Sequence, residues 1–150
     1  MARKVVFLSP LGLCHLLGGE LAVLCAVETV SARMTETEDA AQLKEEGEQG
    51  KFGPCLVEGP ISFDLATDRR AAEWKGYQSP VAGDADILLV PNIVSGNLLG
   101  KALYGMAGGE MAGVVLGASV PITVNSRGAT SEEKYNSIAI ASAMAGKNAI

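Results

Sequence analysis

The chain has 150 residues, of which 48% are hydrophobic and 19% charged, and its formal net charge is −5. This composition is that of a globular protein with a sizeable core, and it excludes a disordered chain. No basic run follows Arg3-Lys4, which argues against a nucleic-acid partner because affinity for a polyanion comes mainly from lysine and arginine.

Short apolar runs alternate with helix-like stretches along the chain. Continuous apolar runs are typical of strands that are covered on both faces in a parallel sheet. In chain order, the predicted elements are a strand at residues 5–8, a strand at 21–27, a helix at 37–48, a strand at 55–57, a helix at 65–74, a strand at 87–90, a helix at 97–105, strands at 113–116 and 122–124, and a helix at 132–146. This alternation predicts an α/β fold, with a mostly parallel sheet and flanking helices.

The N-terminus has features of both a targeting signal and a strand. Arg3-Lys4 precedes an apolar stretch, as in a secretory signal peptide. Pro10 and Glu20 interrupt that stretch, which favours a strand and loop and weakens a membrane-span interpretation. We therefore expect no membrane association and a cytoplasmic protein, with a signal peptide as the alternative.

The three cysteines cannot all pair with one another. Cys25 and Cys55 lie in short apolar runs, which favours buried thiols in a reducing compartment. A catalytic cysteine would need a histidine partner, and the only histidine is His15, next to Cys14. That pair lies in a segment without other catalytic features, so we do not take it as a site.

Ligands of open parallel sheets bind beyond the carboxyl ends of the strands. The segments that follow the predicted strands are therefore the candidate site. After the strand at 55–57, Asp64 falls where a helix should begin. The favoured interpretation of Asp64 is an N-cap, since an aspartate there accepts a hydrogen bond from a free backbone amide.

A second candidate segment follows the strand at 87–90. Asn92, Gly96 and Asn97 lie in a predicted loop that opens a helix, and Lys101 falls about one turn into that helix. Backbone amides and the helix dipole at such a start can hold an anion. The alternative is an ordinary loop that is capped by Ser95 or Asn97.

A third candidate segment follows the strand at 122–124. Arg127 offers forked donors that suit phosphate oxygens, with a surface salt bridge as the alternative. The Ser126 hydroxyl can donate to a carbonyl or phosphoryl oxygen. Glu132 and Glu133 are candidate bases. The alternative for Glu133 is a capping box with Thr130, because the two have the T-x-x-E spacing.

Strings spread over most of the chain, in a fixed order, are more specific than any of these motifs. They are Ala26-Val27-Glu28-Thr29-Val30, Gly59-Pro60 with Asp64, Val81-Ala82-Gly83-Asp84-Ala85-Asp86-Ile87-Leu88-Leu89-Val90-Pro91, Gly96-Asn97 with Lys101, and Ser126-Arg127 with Asn136-Ser137-Ile138-Ala139. Through them the chain resembles the C-terminal portion of the phosphate acetyl/butyryltransferase (phosphotransacetylase) family, closer to the butyryl branch.

The resemblance implies an α/β fold similar to that of isocitrate and isopropylmalate dehydrogenases, in which two domains enclose a cleft. Residues 1–118 would be the second, cleft-forming domain. Residues 119–150 would be a C-terminal segment that returns to a first domain, most of which is missing. Family members are commonly homodimers or larger, so we expect a homo-oligomer.

The resemblance also implies the reaction of acyl-CoA with phosphate to give acyl phosphate and CoA. Coenzyme A is then a substrate, with no bound cofactor and no metal. By position, Arg127 holds the phosphate, Ser126 lies near the oxyanion, and Glu133, or alternatively Glu132, takes the thiol proton. The substrate-binding residues expected in the same cleft are Gly96, Asn97, Lys101, Asn92 and Asp64.

Two departures from the family pattern bear on activity. Glu58 stands where the family usually has aspartate, and Asn92 replaces an aspartate, which removes a charge at the cleft. We therefore expect a truncated, weakly active or inactive acyltransferase, with a non-catalytic fragment or binding module as the alternative. A dehydrogenase of the related fold is least favoured, because the chain has neither a dinucleotide fingerprint nor a suitable carboxylate cluster for a metal.

Overall fold

The computed structural model describes residues 18–115 and 118–147. The predicted strand at residues 5–8 and the neighbours Cys14 and His15 lie outside these ranges. The chain forms two compact units, Met1–Gly96 and Asn97–Ile150. Each unit has its own sheet.

The first unit is built around a three-stranded parallel sheet with helices between its strands. Its elements are β1 (Gly19–Leu24), α1 (Thr35–Glu48), β2 (Cys55–Ile61), α2 (Phe63–Thr67), α3 (Arg69–Lys75) and β3 (Ile87–Leu89). The spatial order is β2-β1-β3, and β1 pairs in parallel with both neighbours. The predicted α/β class, with a parallel sheet and flanking helices, is confirmed here.

The central strand β1 is covered on both faces. All four residues from Leu21 to Leu24 are buried, as the apolar run predicts. Leu21 pairs with Val57 on one side and with Ile87 on the other. Burying one such leucine side chain contributes about 2 kcal/mol, so this strand anchors the core of the unit.

Gly59 lets helix α1 approach strand β2 closely. A Cβ atom at this position would lie 2.8 Å from the Cβ of Val23 and 3.2 Å from the Cβ of Ala40. Ala40 is itself fully buried on α1. The absence of a side chain at Gly59 therefore sets the spacing between helix and sheet.

Two predicted strand boundaries in the first unit are wrong. Strand β1 ends at Leu24 and not at residue 27, and the Cys25 N–H makes the last bond of this ladder, to the Ile61 carbonyl at 2.9 Å. Strand β2 does not end before Gly59-Pro60 but continues through them to Ile61. Proline is tolerated there because β2 is an edge strand, on which one side of the backbone needs no partner.

The predicted helix at 65–74 is two short helices, α2 and α3. Asp68 separates them with an extended backbone, at φ −127° and ψ 111°. Its side chain accepts a hydrogen bond of 2.9 Å from the Arg70 N–H and so caps α3. Aspartate competes with a continuous helix in this way by bonding to the backbone locally.

The second unit contains two long helices and a small antiparallel sheet. Its elements are α4 (Ile93–Ala107, which begins in the last residues of the first unit), β4 (Val114–Val115), β5 (Ile122–Thr123) and α5 (Ser131–Lys147). The prediction of parallel, two-face-covered strands is wrong here: β4 and β5 pair antiparallel, and both residues of β5 are exposed. The connection at residues 116–121 is too short for a parallel crossover, which needs a dozen or more residues.

A buried serine joins the small sheet to helix α5. Ser137 is fully buried, and its hydroxyl oxygen accepts from the Gly113 N–H at 3.0 Å. The same hydroxyl lies 2.8 Å from the Asn125 side-chain oxygen and 2.7 Å from the Glu133 carbonyl. Ser137 thereby links the residue before β4, the segment after β5 and the first turns of α5.

Helix α4 begins four residues before the predicted start at residue 97. Asn92 caps it: the Asn92 side-chain oxygen accepts from the Ser95 N–H at 3.0 Å, and its carbonyl accepts from the Gly96 N–H at 3.1 Å. None of the residues of α4 is buried. Within the described ranges, no helix is both long and apolar enough to cross a membrane.

Candidate functional site

The predicted Ser126–Arg127 segment forms an exposed turn between β5 and α5. The Ala129 N–H donates to the Ser126 carbonyl at 3.0 Å, and the Gly128 N–H donates to the Ser126 hydroxyl at 3.4 Å. The Ser126 hydroxyl proton thus stays available for another acceptor. The side chains of both Ser126 and Arg127 are exposed.

The Arg127 guanidinium makes no hydrogen bond or ion pair with any side chain in the described part of the chain. The alternative interpretation of Arg127, a surface salt bridge, is therefore wrong for the described part of the chain. A guanidinium with five unpaired donors, placed just before a helix start, is suited to a phosphate group.

The capping box at the start of α5 is formed as predicted. The Glu133 carboxylate accepts from the Thr130 N–H at 2.8 Å through Oε2, and the Glu133 N–H donates to the Thr130 hydroxyl at 3.2 Å. Glu132 is exposed, and its carboxylate forms no hydrogen bond or ion pair within the described ranges. The two candidate bases therefore differ in how firmly they are held.

Tyr104 on helix α4 was missed by the sequence analysis. A hydrogen bond with Glu133 raises the pKa of Tyr104 above its usual range, and the negative charges of Glu133 and Glu132 add to the effect. The two carboxylates in the first turn of α5 therefore act electrostatically on a tyrosine of α4.

The predicted substrate-binding residues Asn97 and Lys101 share a helix face with Tyr104. The three positions are separated by four and three residues, so they form one stripe along α4. The negative charges of Glu133 and Glu132 act on the Tyr104 member of this stripe. The spacing from Lys101 was the sequence signal that could have identified Tyr104.

The predicted loop around Gly96 and Asn97 is wrong, because both residues lie inside α4. Neither Ser95 nor Asn97 caps that helix. Asn92 does so instead, and its side-chain oxygen also accepts from the Ser95 hydroxyl at 3.0 Å. The replacement of aspartate by asparagine therefore preserves a helix cap.

Asp64 is not an N-cap. It lies in the first turn of α2, after Ser62 at the cap position, and it pairs with Lys75 at 2.9 Å. The hydrogen bond from Lys75, with a smaller contribution from the nearby Ser62, holds the pKa of Asp64 below its usual range. The Ser62 hydroxyl donates its proton to Glu28. Asp64 thus belongs to a polar cluster of the first unit at the carboxyl ends of β1 and β2.

Glu58 is a buried carboxylate of the first unit, only 6% exposed. It accepts from Lys44 at 2.8 Å and from the Gly59 N–H at 3.1 Å. Burial, together with the neighbouring Glu58 charge, raises the pKa of Tyr77 well above its usual range. This departure from the family pattern is thus accommodated by a lysine from α1.

Cys25 lacks the features of a reactive cysteine. Burial, with smaller contributions from Glu36 and Asp39, raises its pKa to about 11, and its Sγ lies 3.4 Å from the Glu36 carbonyl. A thiol with that pKa is protonated at neutral pH and is a poor nucleophile. Cys55 is buried in β2. Within the described ranges, no group of three or more His, Cys, Asp or Glu side chains is arranged to hold a metal ion.

Known proteins provide an independent comparison. The family model described as phosphate acetyl/butaryl transferase matches residues 11–142, and so begins further upstream than the strings quoted above. The chain is 40% identical over 135 residues to a phosphate butyryltransferase of Clostridium acetobutylicum, covering 88% of this chain and 45% of that protein. It is 50% identical over 107 residues to a phosphate acetyltransferase of Rickettsia prowazekii, covering 71% of this chain and 30% of that protein.

Solved structures agree with the sequence relatives. A branched-chain phosphotransacylase from Enterococcus faecalis matches with a TM-score of 0.75 at 34% identity, over 83% of this chain and 45% of that one. A phosphotransacetylase from Staphylococcus aureus matches with a TM-score of 0.69 at 27% identity, over 85% of this chain and 40% of that one. The chain spans less than half the length of these relatives. With a family model that matches most of its residues, the chain belongs to the phosphate acetyl/butaryl transferase family.

Proposed function

We propose that the protein is a phosphate acyltransferase that exchanges an acyl group between coenzyme A and inorganic phosphate. Family membership supports the reaction class. The observation that carries the proposal is the Arg127 guanidinium, which is exposed and unpaired among the described residues, directly before the capped start of α5. An arginine and a helix N-terminus together favour a phosphate group.

The reaction needs three groups in this region. In our proposal, Arg127 and the amides that open α5 hold the phosphoryl group of the acyl phosphate. Glu133 or Glu132 accepts the proton of the CoA thiol, and the thiolate sulfur attacks the acyl carbonyl carbon. The Ser126 hydroxyl donates to the carbonyl oxygen as negative charge develops on it. The carbon–oxygen bond to phosphate then breaks, which leaves acyl-CoA and inorganic phosphate.

Asn97 and Lys101 are proposed to line the same site from α4, with Gly96 next to them in the chain. Lys101 adds a positive charge on the helix face that it shares with Tyr104. Asn92 and Asp64 are weaker candidates, because each already serves its own helix or cluster. No bound cofactor is needed by this scheme, in which coenzyme A is a substrate.

The whole enzyme is proposed to have the two-domain, dehydrogenase-like fold. Residues 1–118 would belong to the cleft-forming second domain, and residues 119–150 to the segment that returns to a first domain. Apolar side chains exposed on the second unit support a further covering element, whether that domain or a second copy: Leu98, Met106, Val120, Val124, Ile138 and Ile140. A cytoplasmic homo-oligomer remains our prediction.

An assay of acyl transfer tests the proposal. The chain is mixed with acetyl or butyryl phosphate and CoA, and acyl-CoA is detected by mass spectrometry. We expect slow product formation that falls at least about 100-fold in Arg127→Ala, the usual cost of removing an oxyanion donor. Arg33→Ala is the matched control, since Arg33 is an exposed arginine of the first unit.

Equal product formation by the wild-type chain and Arg127→Ala would exclude Arg127 from the site. The alternative function is a non-catalytic binding module of the same fold. A binding module would bind phosphate or CoA in a way that depends on Arg127, and it would form no acyl-CoA. If the chain forms no product and binds neither phosphate nor CoA, both proposals are wrong.

A further inference from the structure

Ser137 is a buried polar residue inside helix α5. Alanine at this position would favour the helix more and would leave no polar group to satisfy. The Ser137 hydroxyl oxygen accepts from the Gly113 N–H at 3.0 Å. Its single proton is shared between the Asn125 side-chain oxygen at 2.8 Å and the Glu133 carbonyl at 2.7 Å. One hydroxyl therefore holds three separate stretches of the second unit.

The bond from Gly113 serves the small sheet. Gly113 directly precedes β4, and its carbonyl accepts from the Val124 N–H at 3.0 Å, which extends the pairing of β4 with β5 by one step. A Cβ atom on Gly113 would overlap the Val124 carbonyl oxygen. The two backbones are therefore held close together here, and this bond of Ser137 has a structural role.

The bond to Asn125 has no such role in the sheet. Asn125 is exposed, lies beyond the end of β5, and directly precedes the turn that carries Arg127. Its side chain bonds to a buried hydroxyl of α5, which ties the first end of the turn to that helix. The capping box of Thr130 and Glu133 ties the other end to the same helix. Only residues 126–129 lie between the two anchors.

A short turn that is fixed at both ends is ordered before a ligand arrives. Backbone freedom that was lost on folding is not lost again on binding, so an ordered turn binds its ligand more tightly than a mobile one. The direction of the side chain matters as well, because the forked donors of an arginine must meet two phosphate oxygens together. Both effects apply to Arg127, two residues after Asn125.

We propose that Ser137 is a positioning residue for the Arg127 turn, and that it acts through Asn125 to order this turn for a phosphate group. The inference rests on the proposed function for its ligand, inorganic phosphate or the phosphoryl group of acyl phosphate. Its structural part stands on the hydrogen bonds of Ser137. Ser137 itself touches no substrate in this account.

Asn125→Ala separates the two roles, since it removes the bond to the turn and leaves the bond from Gly113 in place. The measurement is amide ¹⁵N relaxation of the chain without phosphate. We expect order parameters at residues 126–129 to fall from about 0.85, typical of rigid backbone, to below about 0.6. Asn136→Ala, next to Ser137 on α5, is the matched control and should leave them unchanged. Unchanged order parameters in Asn125→Ala would overturn the inference.

Two further variants test the hydrogen bond itself. Ser137→Ala removes its buried end and should make residues 126–129 as mobile as Asn125→Ala does. Asn125→Asp keeps the accepting oxygen and should keep the turn ordered; mobility equal to that of the alanine variant would rule out the bond to Ser137 as the cause. Because Asn125 is exposed, its variants decide the outcome even if Ser137→Ala does not fold.

Phosphate binding separates positioning from a purely structural contact. In an amide NMR titration with inorganic phosphate, Asn125→Ala should bind about 10-fold more weakly than the wild-type chain, because binding must then order the turn. Its urea midpoint of unfolding should equal that of Asn136→Ala. Equal phosphate affinity in Asn125→Ala and the wild type would remove the positioning role. A wild-type chain that binds no phosphate would contradict the proposed function, while the relaxation data would still decide whether Ser137 orders the turn.

Discussion

Several charged side chains of the first unit pair with one another. Lys44 pairs with the buried Glu58 at 2.8 Å, and Lys75 pairs with Asp64 at 2.9 Å. In the second unit, Arg127 has no such partner among the described residues. At the scale of single residues, we therefore propose Arg127, and not these paired side chains, for substrate binding.

The Lys44–Glu58 pair gives a stability prediction. Lys44→Met keeps the aliphatic stem but removes the ammonium group that pairs with the buried carboxylate. Because a hydrogen bond to a charged group contributes about 1.5–3 kcal/mol, and Lys44 is partly exposed, we expect a loss of about 1–2 kcal/mol in unfolding free energy. Urea denaturation measures it.

Lys51→Met is the control for that measurement. Lys51 pairs with Glu46 at 3.4 Å, and both side chains are more exposed than Glu58. Exposed pairs contribute at most about 1 kcal/mol, so this variant should stay within about 0.5 kcal/mol of the wild type. Equal losses in the two variants would mean that the burial of Glu58 does not matter.

The sequence suggested some candidate site residues and not others. Ser126 and Arg127 became candidates because they follow an apolar run and precede a capped helix, and Glu133 because it lies in the first turn of that helix. Tyr104 was not a candidate, because the effect of Glu133 on its pKa joins residues that are far apart in the chain. The pairing of Glu58 with Lys44 was missed for the same reason.

At the scale of elements, the start of α5 is where the fold and the proposed function meet. The side chains of Thr130 and Glu133 each accept a hydrogen bond from the backbone N–H of the other residue. One turn later, Ser137 bonds to the Gly113 N–H and so links the helix to the small sheet. The helix end that holds these bonds is the end that would face the phosphate. Its order is therefore a condition for binding.

Thr130→Ala should weaken this helix end. It removes the hydroxyl that accepts from the Glu133 N–H at 3.2 Å, and the loss of a threonine N-cap costs about 1 kcal/mol. Unfolding free energy from urea denaturation checks the value. Thr130→Ser keeps the cap and is the control; a serine variant as unstable as the alanine variant would rule out the hydroxyl as the cause.

Element boundaries were harder to predict than element types. The apolar run at 21–27 identified β1, but the pairing partners decide that it ends at Leu24. The polar and glycine-rich residues around Gly96 suggested a loop, whereas the Asn92 cap starts α4 before them. Local composition does not reveal which partner each backbone N–H or carbonyl group bonds to. Helix caps and strand pairing therefore place the ends of elements away from the predicted positions.

At the scale of the whole molecule, the parallel sheet was predictable and the small antiparallel sheet was not. The connection between Leu24 and Cys55 is long enough for a helical crossover, and strands that alternate with helices are typical of a parallel sheet. The strands at Val114 and Ile122 pair antiparallel and are close in sequence. Their apolar composition resembles that of the parallel strands, so composition alone did not indicate the antiparallel pairing. Family resemblance, and not pattern alone, predicted the reaction class.

We infer that the Arg127 turn and the α4 stripe bind one phosphate group together. This inference can be checked by amide NMR of the chain during titration with inorganic phosphate, with Arg127→Ala and Arg33→Ala as paired variants. We expect chemical-shift changes at residues 126–133 and 97–104 with one common affinity, lost in Arg127→Ala and kept in Arg33→Ala. Shifts confined to one segment, or a full response in Arg127→Ala, would contradict it.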